Sequence, residues 1–344
     1  MNKINSLETL RGFAALIVAL YHLPGISLFH IDKGFIAVYF FFTLSGFVIS
    51  LNYLKKITDF NSLIKFKKKR FLRLYPVHLF VLLLVLFIQI LKIYALEHLD
   101  ISYEQKAFEP SNWYTIKDFF QHLFLLQSVT NFGYHLSWNA AAWTISTEFY
   151  TYLVFALTII LLKNNEFYLT IVILIYIIFF NKISDFLIPY INYLLLDCLR
   201  YFLAGSLMFL IYKNFKILLN DITFIILLSV LILLYNYIPN YILFSAFVLI
   251  AASQSKSNLI LKFLNFRPFV YFGTISYSFY MIHHVIFYLF NQSLKLININ
   301  FYNTKDQTNY IFFHDLLFTL IYIILGTSFS VLMYKFIENK FRSK

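Results

Sequence analysis

The fold class this sequence predicts is all-α: a polytopic integral membrane bundle of about ten transmembrane helices with both termini cytoplasmic. Three observations predict it. Of 344 residues, 60% are hydrophobic and 13% charged, where a soluble domain carries about a quarter charged residues. The apolar residues fall in runs long enough to cross a bilayer core about 30 Å thick, which asks for roughly 20 helical residues. Lys and Arg gather in alternate connections, the mark of cytoplasmic loops. With 21% aromatic residues and a mean hydropathy of +0.73, a water-soluble enzyme and a disordered chain are both excluded.

Ten segments qualify as spans: 7–29, 35–54, 74–97, 143–162, 167–181, 193–212, 222–238, 240–253, 269–291 and 313–337. The first is too long and too polar at its ends for a cleaved signal peptide, and no small-residue cleavage site follows its apolar run. It is expected to stay as a helix. The connection after the second span carries Lys55, Lys56, Lys65, Lys67, Lys68, Lys69, Arg70 and Arg73, so it is placed in the cytoplasm. The same orientation puts Lys3, Arg11, Lys163, Lys213, Lys216, Lys256, Lys262, Arg267, Lys335, Lys340, Arg342 and Lys344 inside, which accounts for 20 of the 28 basic residues. The net charge of +12 is therefore read as topology, and no nucleic-acid partner is expected.

The run 222–253 is read as a hairpin broken at Ile238-Pro239-Asn240. Lys213 and Lys216 precede it and Lys256 and Lys262 follow, so both flanks are cytoplasmic and the number of crossings is even. Proline with asparagine supplies the turn. The longest external segment, about 98–142, holds Asp100, Glu104, Glu109, Trp113 and Trp138; within it, Asp118 to Gln127 is too short to span and is expected to lie at the interface or re-enter. The single cysteine, Cys198, excludes an intrachain disulfide and a multi-cysteine metal site, and no metal is expected.

Ionisable groups inside spans are costly and ask for a reason. Arg11 and His22 are eleven residues apart; at 100° per residue this is within about 20° of three full turns, so they share one helix face roughly 16 Å apart along the axis. One face thus presents a fixed cation near the cytoplasm and a titratable base further out. Glu148 opens the fourth span from outside, and His283 lies about 21 Å up the ninth. His22, Glu148 and His283 are expected to converge in the outer half, where a carboxylate beside an imidazole fixes its tautomer and raises its basicity. Tyr277 and Tyr280 lie one to two turns before His283 on nearby faces. Ser45 reads first as a helix-to-helix hydrogen bonder rather than a nucleophile.

Four blocks carry a resemblance over most of the chain. They are Ser6-Leu7-Glu8-Thr9-Leu10-Arg11-Gly12 with His22 beyond it; Phe41-Phe42-Thr43-Leu44-Ser45-Gly46-Phe47; Lys69-Arg70-Phe71-Leu72-Arg73-Leu74-Tyr75-Pro76; and Ser276-Tyr277-Ser278-Phe279-Tyr280-Met281-Ile282-His283. Trp143 to Glu148 looks like a fifth. In this order the sequence resembles the membrane-bound acyltransferase-3 family of bacterial O-acyltransferases. It departs from the family pattern at Tyr39, where an acidic residue is common, and at His284, where an aromatic is common; the assignment between His283 and His284 stays open.

The resemblance implies one acyltransferase domain over 1–344 in the bacterial inner membrane, with no fused extracytoplasmic hydrolase-like domain. It implies an acyl-CoA donor, most often acetyl-CoA, used from the cytoplasm as a substrate rather than a resident cofactor. The implied acceptor is a hydroxyl of a surface saccharide such as O-antigen or capsule. His22 would be the base, with Glu148 or His283 orienting it; Arg11, Arg70 and Arg73 would hold the donor; Tyr277, Tyr280, Ser45 and Trp143 are the candidate substrate contacts. Arginine suits the phosphates of coenzyme A because it binds them bidentately. The competing reading is a transporter or flippase that uses the same residues as a proton relay. Against it stand the lack of an inverted repeat and of matched Gly/Pro-broken helices in two halves.

Overall fold

The computed structural model describes residues 4–23, 34–98, 114–215, 218–254, 259–296 and 308–342. Lys3, Lys216, Lys256, Lys344, Asp100, Glu104, Glu109 and Trp113 lie outside these residues, as does the end of the first expected span. Among the described residues every named element is helical, and the one extended pairing is an isolated bridge between Leu219 and Gln254.

The order is α1 (Asn5–Tyr21), α2 (Phe35–Tyr53), α3 (Phe60–His98), α4 (Ile116–Leu123), α5 (Trp143–Leu161), α6 (Glu166–Ile178), α7 (Phe180–Leu187), α8 (Tyr193–Phe215), α9 (Asp221–Leu233), α10 (Asn240–Ala252), α11 (Leu259–Leu264), α12 (Arg267–Leu296), α13 (Thr308–Met333) and α14 (Asn339–Arg342). A 3₁₀ turn, Ala140–Ala142, leads into α5, and a π-helical turn, Tyr334–Glu338, joins α13 to α14. Five of these stretches are long and apolar enough to cross a membrane: Phe35–Tyr53, Phe60–Ala95, Ala140–Leu161, Tyr193–Phe215 and Leu316–Arg342. The pair α6 and α7, bent by 75°, makes a sixth if counted as one span, and α9 and α10 are shorter apolar helices. Large side chains such as Phe167, Ile178, Tyr237 and Leu233 are more than two-thirds exposed, as lipid-facing residues of a multi-pass protein are.

Helix starts follow local capping chemistry. Asn165 accepts from the backbone N–H groups of Phe167 and Tyr168 to open α6, and Asn220 accepts from Thr223 N–H to open α9. Pro239 is the cap residue of α10, so 222–253 is two helices broken where the turn residues stand. The eight-residue α4 begins at Thr115, whose hydroxyl accepts from Asp118 N–H at 3.0 Å. Helix α3 differs from expectation: it begins at Phe60, fourteen residues before the expected span. Asp59 Oδ1 accepts from Ser62 N–H at 2.7 Å, and Ser62 Oγ accepts from Asp59 N–H at 3.0 Å. This reciprocal cap starts the helix in the connection that follows α2. A buried stripe of Leu63, Phe66, Arg70, Leu74, Val77 and Val81 then continues at spacings of three and four, so the basic run lies on helix rather than loop. Pro76 sits inside that helix and removes one backbone donor, which is tolerated where neighbours resatisfy the backbone.

The chain divides into two compact units. The first holds residues up to Ala14, Phe35–Arg70 and Thr147–Ser276; the second holds Ala15–Gly34, Phe71–Ser146 and Tyr277 onward. In the first unit α2 lies against α8 at very close range. A methyl on Gly46 would come 1.8 Å from the carbonyl oxygen of Phe202, and one on Gly205 would come 1.9 Å from that of Thr43. Small residues allow this backbone approach, which in lipid supplies packing that the hydrophobic effect does not. Ser50 and Ser206 add a hydroxyl pair at 2.6 Å across the same two helices.

In the second unit the middle of α12 is tied down from several sides. Asn139 donates to the carbonyl of Met281 at 3.1 Å, Tyr322 Oη to that of His283 at 3.3 Å, and Ser278 Oγ to the buried carboxylate of Glu338 at 2.8 Å. Each bond satisfies or fixes a polar group of a buried helix.

Candidate active site

Helix α1 runs unbroken to Tyr21, and His22 follows in the turn, its N–H bonded to the carbonyl of Val18 at 3.3 Å. Within the second unit this places the His22 ring against α12. Ring centres are 5.4 Å apart for His22 and His283, 4.1 Å for His22 and His284, and 4.4 Å for His283 and His284. The expected meeting of His22 with His283 is thus present, and His284, left open by the sequence, joins both.

His283 is 1% exposed, and its Nδ1 is hydrogen-bonded to the carbonyl of Tyr280, one turn earlier on α12. A carbonyl only accepts, so Nδ1 carries the proton and Nε2 keeps its lone pair. Among the described residues, Nε2 has no hydrogen-bond partner. The ligating nitrogens of His22, His283 and His284 all lie within 4.8 Å of one another. His22 and His284 are half-buried. The cluster therefore offers nitrogen lone pairs in a largely buried place, with the tautomer of His283 already set.

Tyrosines brace the same helix. Tyr280 Oη accepts from Thr144 Oγ1 at 3.1 Å, and Tyr277 Oη donates to the carbonyl of Leu74. Tyr280, 7% exposed, is largely buried, so both tyrosines hold α12 through their hydroxyls. Trp143, half-buried, is the first residue of α5. Arg73 is half-buried on α3.

The other expected site residues fall in the first unit. Glu148 is hydrogen-bonded by Ser45 Oγ at 2.5 Å and by Tyr152 Oη, while Ser45 and Tyr152 are themselves 2.7 Å apart. Ser45 there joins α2 to α5, as the helix-to-helix role predicts. Arg11 pairs with Glu8 at 3.1 Å on α1, both side chains 13% exposed. Arg70 is 3% exposed and donates to Tyr53 Oη at 2.9 Å, with its guanidinium 4.9 Å from the Tyr53 ring and 5.9 Å from that of Phe66. Lys65, Lys67, Lys68 and Lys69 are exposed on the same helix.

Sequence reasoning left the choice between His283 and His284 open, and a second imidazole at the next position, 100° round the helix, was the signal for His284. It passed over the ion pair of Asp197 and Arg200 on α8, although both are ionisable groups inside a span. The Arg200 guanidinium lies 4.0 Å from the Phe180 ring and 5.1 Å from that of Tyr241.

Comparison with known proteins bears on this arrangement. A family profile described as an acyltransferase domain (Acyl_transf_3) matches residues 4–335. The chain is 28% identical over 375 aligned positions to the O-acetyltransferase OatA of Staphylococcus aureus strain NCTC 8325 / PS 47, which covers 98% of this chain and 57% of that protein. The same figures hold for OatA of strain COL. The O-acetyl transferase of Shigella phage Sf6 is 29% identical over 180 positions, half of each chain. The chain thus spans little more than half the length of the OatA proteins it matches. No solved structure matches it.

Proposed function

Because this chain belongs to the acyltransferase-3 family, we propose that it is an O-acetyltransferase of the bacterial cytoplasmic membrane. In this reading it moves acetyl from cytoplasmic acetyl-CoA to a hydroxyl of an extracytoplasmic glycan such as O-antigen or capsule. The observation that carries the reading is the meeting of His22 with His283, whose Nδ1 is committed to the Tyr280 carbonyl. The names of the relatives, O-acetyltransferases from a bacterium and a phage, support the choice of acyl group and acceptor atom.

The reaction joins the acceptor oxygen to the acetyl carbon and breaks the thioester carbon–sulfur bond. His22 takes the hydroxyl proton as the oxygen attacks and returns it to the departing thiolate, so the products are an O-acetyl ester and free coenzyme A. Burial around the rings keeps water from competing for the thioester. Arg11 on α1 and Arg70 and Arg73 on α3 are assigned to the phosphates and pantetheine of the donor, since arginine binds phosphate bidentately. Trp143, Tyr277, Tyr280 and Ser45 are assigned to the substrates, and Glu148 to support of the reacting groups.

The test is alkali-labile acetate on surface polysaccharide in a gene-deleted strain carrying wild type or His22→Ala at equal membrane abundance. Restoration by wild type alone is expected. Restoration by both makes His22 structural, and restoration by neither sends the acceptor or the activity elsewhere.

A further inference from the structure

We propose that His22, His283 and His284 form a binding site for a divalent transition-metal ion, Zn²⁺ by donor chemistry, and that the bound ion blocks acyl transfer. The blocking half rests on the reading of His22 as the base; the binding half does not.

The donor set is three imidazoles with their ligating nitrogens within 4.8 Å of one another. Imidazole nitrogen selects zinc and its transition-metal neighbours over magnesium and calcium, which take oxygen. Three such ligands leave a fourth tetrahedral position open to water. A Zn–N bond of about 2.0–2.1 Å sets tetrahedral ligand atoms about 3.3 Å apart, so closure asks for side-chain rotation of little more than an ångström. His22, in the turn after α1, and His284 are the half-buried members and give the ion its way in.

The second observation is independent of the clustering. His283 Nε2 is buried and has no hydrogen-bond partner among the described residues, a condition that costs free energy unless something satisfies it. Its Nδ1–H is fixed on the Tyr280 carbonyl. One ring nitrogen held on a carbonyl and the other left bare is how a metal-ligating histidine is oriented and its tautomer set. An ion so held uses the His22 lone pair, and His22 then cannot accept a proton from a hydroxyl.

The experiment uses the full chain in lipid nanodiscs, stripped with a chelator and titrated with Co²⁺ as a spectroscopic probe. One equivalent giving the visible absorption of a four-coordinate site, displaced by Zn²⁺, is expected. His284→Phe and His22→Gln should each weaken binding at least about tenfold, while His135→Phe leaves it unchanged; agreement of the two variants separates ligand loss from misfolding. Zn²⁺ should suppress acetyl transfer from acetyl-CoA, and chelator should restore it. No visible band, or one unaltered in both variants, overturns the site. Binding that leaves transfer untouched, or stimulates it, overturns the inhibition. A preparation that binds Co²⁺ as expected but transfers no acetyl refutes the proposed function and leaves the site standing.

Discussion

His283 donates its Nδ1–H to the carbonyl of Tyr280, so that its buried Nε2 is left as a bare acceptor. The tautomer is set by backbone geometry one helical turn away. A protein-wide conformational change is not needed to prepare it.

Replacing His283 by Ala is therefore expected to lower the turnover number for acetyl transfer by about 10²- to 10⁴-fold, the range for loss of an acid–base partner. The KM for acetyl-CoA should change little, because the ring acts through His22 rather than on the donor's phosphates. Steady-state kinetics with purified protein checks both parts. A raised KM at full turnover would assign His283 to binding.

In the first unit, Ser45 and Tyr152 both donate to Glu148. Ser45→Ala removes a donor from a partly buried carboxyl group and should cost about 1–3 kcal/mol. Combined with Tyr152→Phe, the losses should depart from additivity by at least about 0.5 kcal/mol, since the three groups share one network. Denaturation in detergent of the two single variants and the double variant supplies the cycle. Strict additivity would mean that the hydroxyls act separately.

The approach of α2 to α8 depends on two positions with no side chain. Gly46→Ala would place a methyl 1.8 Å from the Phe202 carbonyl oxygen, so the helices must part. A cost of about 1–3 kcal/mol is expected for such overpacking, seen as a lower thermal midpoint of the solubilised protein. An unchanged midpoint would show that α8 shifts freely.

Asp59 caps α3 outside the spans. The backbone N–H of Ser62 is the largest cause holding its carboxyl below the ordinary carboxylate value of 3.8. A depressed folded value means the cap's contribution is complete above the unfolded value and is lost as pH falls through the lower, folded one. Backbone amides at the start of α3 should therefore lose protection below about pH 3.8, after correction for intrinsic exchange rates. Asp59→Ala should lose that protection already at neutral pH. Protection that is independent of Asp59 would place the helix start under other control.

Much of this protein is legible without coordinates, for one physical reason: a helix in lipid must satisfy its backbone internally, so apolar runs become helices. Composition and charge placement thus determine the all-helical membrane class and the segments that become α2, α5, α8 and α12. Pro239 and Asn240 determine the break between α9 and α10, because turn chemistry is local. The eleven-residue spacing places Arg11 on α1 and His22 in the turn that directly continues it, since helical phase is a property of a single element.

What the sequence could not decide is which elements meet. The start of α3 depended on a reciprocal cap overshadowed by the lysines that follow it. The partners of Glu148 come from residue 45, about a hundred positions away, and from Tyr152 on its own helix. His284 joins His22 because α12 and the end of α1 come together in the second unit, and nothing in the phase of either helix states which neighbour it faces. Helical periodicity reports the face a residue occupies; tertiary packing alone decides what stands opposite, because that choice is made between chains of side chains hundreds of residues apart.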